Sequence, residues 1–304
     1  MLRIVKWISV VIVVLAMIYI SVGWYFANRI INFQTRTLEE DKKNLKIDSL
    51  ADFGLSNPEP IEIPSQDVVL KGWFFETPKN DCAIIFHHGL TGTRYGGLKY
   101  TRLFQNKSCH LVLYDLRHHG ESTANYGTYG YYEKFDALNV IDWLKNKTGL
   151  EDSQIGLVGE SLGAAIVIQA GGSGRSFGFI LADSPFSSLE KIITERAVHD
   201  FTQIVYIFIP LAFYLASLRA EFDIKDVSPE MYASNVQSPI IIAHSLQDNY
   251  TLSYHSKNIY KNISYPKKKL LLTDWNASHG KSIDKNFKAY YSEISEFLKT
   301  QTNF

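Results

Sequence analysis

The sequence predicts an α/β domain, a mostly parallel sheet wrapped by helices, and three observations lead there. Short runs such as "VVLKGWFF", "CAIIF", "CHLVLYD", "QIGLVG", "FGFILAD", "PIIIAHS" and "KLLLTDW" are often continuously apolar, as strands covered on both faces require. Between them, segments such as 133–147 and 286–299 space apolar residues three and four apart, the period of a helix packed along one stripe. Strand and helix alternate in regular succession, which gives parallel pairing with crossover helices. With 304 residues and 46% hydrophobic composition, the chain can bury one large core.

Composition removes several function classes. Lys plus Arg equals Asp plus Glu at 31 each, so no global field attracts nucleic acid, and none is expected as a partner. Cys82 and Cys109 are the two cysteines, with no C-x-x-C and no Cys/His cluster at ligand spacing. Neither a metal nor a cofactor is expected.

The first element is a membrane helix. From Trp7 to Phe26, "WISVVIVVLAMIYISVGWYF" carries twenty uncharged residues, enough for a helix to cross a hydrocarbon core of roughly 30 Å. Trp7, Trp24 and Tyr25 sit at its ends, where amphipathic rings favour the headgroup region. The absence of any polar face argues against a buried soluble helix. A cleaved signal peptide is the rival, with Arg3 and Lys6 as its basic start and Ser21-Val22-Gly23 as a poor cleavage site. Residues 1–27 are therefore expected to be a single-pass anchor, and the basic residues around it lean toward a cytosolic N-terminus with the bulk of the chain on the non-cytosolic side. Residues 28–58 are charged and end in Gly and Pro punctuation, so they read as a tether, and 59–304 as the folded domain.

Within that domain, "GLVGESLGAA" joins a strand to a helix. Gly159-x-Ser161-x-Gly163 is the nucleophile-elbow pattern in the strand-to-helix context that it requires. A serine on so sharp a turn leaves no space for side chains two residues either way, which glycine supplies. The same turn offers the Leu162 N–H at a helix N-terminus, where it can stabilise an oxyanion.

A serine needs a base and an acid, in the chain order Ser, Asp or Glu, His. His279, in "LLLTDWNASHGKS", follows the last predicted strand and precedes the final helix, at the carboxyl edge of the sheet. His87, His88, His118 and His119 precede Ser161; His110 and His244 fall inside strands as core histidines; His199 and His255 sit on helices as solvent-facing residues. For the acid, Asp248 follows "PIIIAHS" and Asp183 ends "FGFILAD", both at the same edge. Asp248 is preferred, with Asp183 the alternative, since strand-end aspartates also serve as turn and cap residues. The second oxyanion donor is expected at "HHGLTG", where Gly89 allows close approach and the Leu90 N–H faces the nucleophile, while His88 fixes the loop.

The strings "HHGLTGTR", "LYDLRHHGES", "GLVGESLGA", "AHSLQD" and "NASHG" occur in the order and spacing of the α/β-hydrolase superfamily. Over about residues 50–300 the chain resembles its membrane-anchored, serine-aminopeptidase-like branch of small, esterase-like hydrolases. That resemblance implies Ser161 as nucleophile, Asp248 as acid, His279 as base, and Leu90 and Leu162 as oxyanion donors. It departs from the family turn Asp-x-Arg-Gly-x-Gly-x-Ser, since His118 stands where glycine is common. A cap insertion is expected at about 186–236, containing the uncharged "QIVYIFIPLAFYLASL" of 203–218, interrupted and kinked by Pro210. The expected activity is hydrolysis of carboxylic esters of small or medium acyl chain. Peptide, thioester or acyl-transfer chemistry on the same residues, or an inactive membrane-bound interaction protein, are the alternatives.

Overall fold

The computed structural model describes residues 2–78 and 81–304. Among them, eight strands form one sheet in the order β1-β2-β4-β3-β5-β6-β7-β8. In chain order these are β1 (Glu59–Ser65), β2 (Val68–Phe75), β3 (Ala83–His87), β4 (His110–Tyr114), β5 (Ile155–Glu160), β6 (Phe179–Asp183), β7 (Ile240–Ser245) and β8 (Lys268–Thr273). β1, β2 and β4 pair antiparallel, and everything from β4 through β8 is parallel. The helices are α1 (Leu2–Ile31), α2 (Leu38–Asn44), α3 (Leu98–Thr101), α4 (Glu133–Thr148), α5 (Leu162–Gly171), α6 (Leu189–Phe201), α7 (Ile209–Ala220), α8 (Pro229–Tyr232), α9 (Tyr254–Asn262), α10 (Ser282–Lys285) and α11 (Phe287–Gln301).

The central strands are buried end to end, which explains their unbroken apolar sequence. Side chains still alternate between faces. Ile85 and Leu157 meet α4 and α5 on one face, while Ile84, Phe86 and Val158 meet α11 on the other. A disulfide joins Cys82 to Cys109 just ahead of the neighbouring strands β3 and β4, with the Cα atoms 4.7 Å apart.

Three sequence expectations need correction. β1 reads "EPIEIPS", a polar and proline-rich run not identified as a strand; it alternates exposed and buried residues at the sheet edge, where proline costs no ladder bond. Pro210 does not kink a helix: it sits in the first turn of α7, where its missing N–H costs nothing, and residues 203–207 form a separate 3₁₀ turn. The stretch expected to be a loose tether is docked. The Gly127 N–H donates to the Ile31 carbonyl (3.0 Å) and the Arg36 N–H to the Thr91 carbonyl (3.1 Å). Asp41, 1% exposed, accepts from the Thr93 N–H and hydroxyl at 2.8 and 2.9 Å. Charged sequence conceals this because the anchoring acceptor is itself an aspartate.

α1 is thirty residues long, and its span from Arg3 to Ile31 is long and apolar enough to cross a membrane. Its outward face carries exposed Ile, Val, Leu and Trp side chains along most of its length. Its C-terminal part packs lengthwise on α7, where a side chain at Gly23 would collide with Leu211.

Candidate active site

β5 ends at Glu160 and α5 starts at Leu162, so Ser161 alone makes the turn, at φ 53° and ψ −110°. A non-glycine residue at positive φ is strained, and the strain persists only where the surroundings enforce it. They do here. A Cβ at Gly159 would strike the backbone of Gly163, and one at Gly163 would strike the backbone of His87. Gly159 is therefore required where α5 folds back on β5, and Gly163 where α5 crosses β3.

His279 lies in the loop between β8 and α10. Its Nε2 is 2.7 Å from the Ser161 hydroxyl, and its Nδ1 is 2.6 Å from Asp248 Oδ2. A carboxylate only accepts, so Nδ1 carries the proton and Nε2 is left to accept from the serine. The imidazole side chain is 20% exposed and the carboxylate side chain fully buried. Burial alone would push the Asp248 carboxyl up. Hydrogen bonds from His244 and His279 and from the Thr251 N–H outweigh it and hold the group well below the usual carboxylate range.

Asp183, the alternative acid, is elsewhere. Its carboxylate accepts from the hydroxyls of Tyr100 and Tyr290, each at 2.9 Å, and from Ser184. Burial, together with the Asp183 charge, pushes both phenols well above their ordinary range, so they stay protonated as donors. The two aspartates end up with different partners because tyrosines from α3 and α11 converge under β6.

The turn after β3 lies against the elbow: a Cβ on Gly89 would sit 3.6 Å from that of Ser161. His88 braces the turn from within. Its Nδ1 donates to the Gly89 carbonyl (2.8 Å) and its Nε2 accepts from the Leu116 N–H (3.0 Å). Burial pushes its pKa down, which favours this neutral form. Leu90 follows in that turn, and Leu162 is the first residue of α5, whose N–H has no acceptor within the helix. Leu90 and Leu162 line the same cavity as Ser161. His118 adopts the left-handed conformation that glycine would take, φ 62°, and its ring nitrogens lie 3.2 Å from the carbonyls of Ala124 and Phe33.

Three groups escaped the sequence reading. His244 is buried as expected, but its Nε2 lies 3.1 Å from Asp248 Oδ2 and 2.8 Å from the Thr251 carbonyl, making it a second donor to the Asp248 carboxylate beside His279. The i, i+4 spacing in "HSLQD" was the available signal. Lys99 reaches Glu160 at 2.9 Å and the Gly280 carbonyl at 2.6 Å, tying the residue before the serine to the residue after the histidine. Nothing in its local sequence marks it. His255, expected to face solvent, is fully buried between Ser187 and Glu195.

Ser161 opens on a cavity of about 240 Å³ with mostly apolar walls. Phe186, Ile192, Val205, Ala212 and Phe213 contribute from the segment between β6 and β7, and Phe26, Ile30 and Phe33 from the N-terminal helix and its extension.

A sequence profile of the prolyl oligopeptidase family matches residues 118–304, a stretch that contains Ser161, Asp248 and His279. The uncharacterized protein YqkD of Bacillus subtilis (strain 168) is 29% identical over 286 residues, covering 92% of each chain. The lysophosphatidylserine lipase ABHD12 of Mus musculus is 25% identical over 201 residues, 64% of this chain and 48% of that protein. Among solved structures, the Pyrococcus furiosus esterase Pf2001 superposes with a TM-score of 0.68 at 23% identity, over 83% of this chain and 95% of that one. A Pyrococcus horikoshii acylaminoacyl peptidase gives 0.63 at 19% identity, over 83% and 43%. These likenesses show the α/β-hydrolase fold.

Proposed function

Because the chain belongs to the prolyl oligopeptidase family and carries the α/β-hydrolase fold of a serine hydrolase, we propose that it cleaves carboxylic esters through a Ser161–His279–Asp248 triad. The observation that carries this reading is the unbroken line from Ser161 Oγ to His279 to Asp248, at 2.7 and 2.6 Å. Ser161 attacks the acyl carbonyl as His279 takes its proton; His279 then returns that proton to the leaving alkoxide, and water resolves the acyl-enzyme by the same route. Asp248 fixes the tautomer. The Leu90 and Leu162 N–H groups stabilise the tetrahedral oxyanion, the latter helped by the N-terminal dipole of α5.

Apolar walls around Ser161 suit an acyl chain better than an extended peptide, whose backbone would need polar partners. Likeness to an esterase and to a lipase points the same way. The domain is proposed to be held at the membrane by α1 on the non-cytosolic side, which the Cys82–Cys109 disulfide supports, since such bonds persist in oxidising compartments. Fluorophosphonate labelling of the full chain, followed by turnover of p-nitrophenyl esters, peptides and acyl-CoAs, tests the reading. Labelling lost in Ser161→Ala, with esters the best substrates, is expected; full labelling of that variant overturns it.

A further inference from the structure

α1 does more than its composition suggests. Tyr19, in the middle of the apolar run, donates its hydroxyl to the Ile207 carbonyl at 3.1 Å, and its ring lies 5.6 Å from that of Phe208. Four residues on, Gly23 gives Leu211 of α7 the space it needs. Arg219 at the far end of α7 bonds Asn28 at 3.0 Å and stacks over Trp24 at 4.3 Å. Phe26 meets Phe201 edge-on at 5.0 Å. The same stretch turns Phe26 and Ile30 into the cavity that contains Ser161.

Depth follows from helix geometry. If Phe26 marks one edge of the hydrocarbon core, Tyr19 lies about 10 Å inside it, at 1.5 Å rise per residue. The segment hydrogen-bonded to Tyr19 must lie at that level too. Its composition agrees: Ile204, Tyr206, Ile207, Tyr214 and Leu218 are exposed, alongside the exposed apolar face of α1. An apolar surface of that kind belongs in the acyl region rather than in water. The exposed charged groups of the cavity lining, Arg29 and Asp200, are suited to the polar end of an amphiphile.

We propose that the C-terminal half of α1 is a wall of the acyl cavity and seats the α6–α7 segment in the bilayer, so that the substrate is a membrane-resident acyl lipid reaching Ser161 sideways from the bilayer. The inference rests on the hydrolase reading for its chemistry, and on the α1–α7 packing for its geometry.

Two experiments on the full chain in phosphatidylcholine vesicles test it. In the first, kcat/KM is measured for p-nitrophenyl palmitate and butyrate. Ile30→Trp, which fills the cavity from α1, is expected to lower the palmitate-to-butyrate ratio about tenfold, and Phe26→Ala to raise it. A ratio within about twofold of the parent in both variants overturns the wall. In the second, which needs no turnover, a thiol-reactive NBD dye is placed at Ile207→Cys and at Lys299→Cys. The native cysteines are paired, so each variant offers one free thiol. Blue-shifted emission protected from aqueous dithionite at 207, with none at 299, is expected; equal quenching at both sites overturns the seating. Loss of all Ser161-dependent fluorophosphonate labelling would instead fail the hydrolase reading and leave the dye result standing.

Discussion

Replacing Asp248 by asparagine is expected to cost about ten-thousand-fold in kcat with the fold retained, because the amide stabilises the wrong imidazole tautomer. Asp183→Asn should spare the rate and show its cost in stability alone. It weakens two buried tyrosine hydrogen bonds to a charged acceptor, so roughly 2 kcal/mol of stability is expected to go while Ser161 labelling persists. Chemical denaturation and steady-state rates on the two variants check both directions. In sequence these aspartates are close rivals, each ending a strand at one edge. What separates them is the convergence of Tyr100 and Tyr290, 190 positions apart, which no local pattern records. Ser161 and His279 were legible for the opposite reason, since an elbow and a post-strand loop carry local signatures. A third residue sets a pH effect. Burial, partly offset by the Val158 carbonyl, holds the His87 imidazole down at about 4 against an ordinary 6.5. Between those values the unfolded chain binds a proton that the native one refuses, so stability falls as pH drops from 6.5 toward 4. The His87 share is roughly 3 kcal/mol when complete. Urea midpoints at pH 7 and pH 5 should differ less in His87→Leu than in the parent; an unchanged difference would refute the assignment.

Elements hold these residues in register, and their legibility depended on whether their partners were local. The parallel strands read clearly because both faces are apolar, whereas β1 did not, because its pattern makes sense only beside β2. The docked stretch between α1 and β1 likewise depends on distant carbonyls and on Thr93. Lys99 is the sharpest case. Sitting on α3, it spans Glu160 and the Gly280 carbonyl, and thereby fixes the distance between two loops that meet at the serine. Its own charge is secure: burial works against it, but Glu160, Asp284 and Asp183 together raise the ammonium above its ordinary range. Lys99→Met keeps the stem and removes the two contacts. We expect kcat to drop about tenfold to a hundredfold through misplacement of His279, with KM for a short ester little affected. A parallel rise in KM would show that the lysine serves the pocket instead.

At the scale of the whole molecule, the sheet, the segment between β6 and β7, and α1 form one continuous body, joined through apolar contacts that run from Ile31 to Val227. The disulfide closes a loop of 27 residues at one end of this body, and opening it should cost about 3.5 kcal/mol by chain entropy, or roughly 5 °C in Tm. Melting curves with and without dithiothreitol measure that directly. The α1 end is the more demanding test, because a removable anchor and an integral wall predict different things. A simple anchor could be deleted up to Asn28 to leave a soluble, active domain. Here that deletion strips Tyr19, Gly23, Trp24 and Phe26 from α6, α7 and the turn between them and opens the cavity at Phe26, exposing Leu211 and its neighbours to water. The full chain should therefore resist release from membranes by high salt and carbonate, since apolar burial is not screened as charge is. The shortened chain is expected to aggregate unless detergent covers α7, and to lose preference for long acyl chains even when it stays in solution. A monodisperse deletion variant with the parent's chain-length profile would show that α1 only tethers, and that the cavity is complete without it.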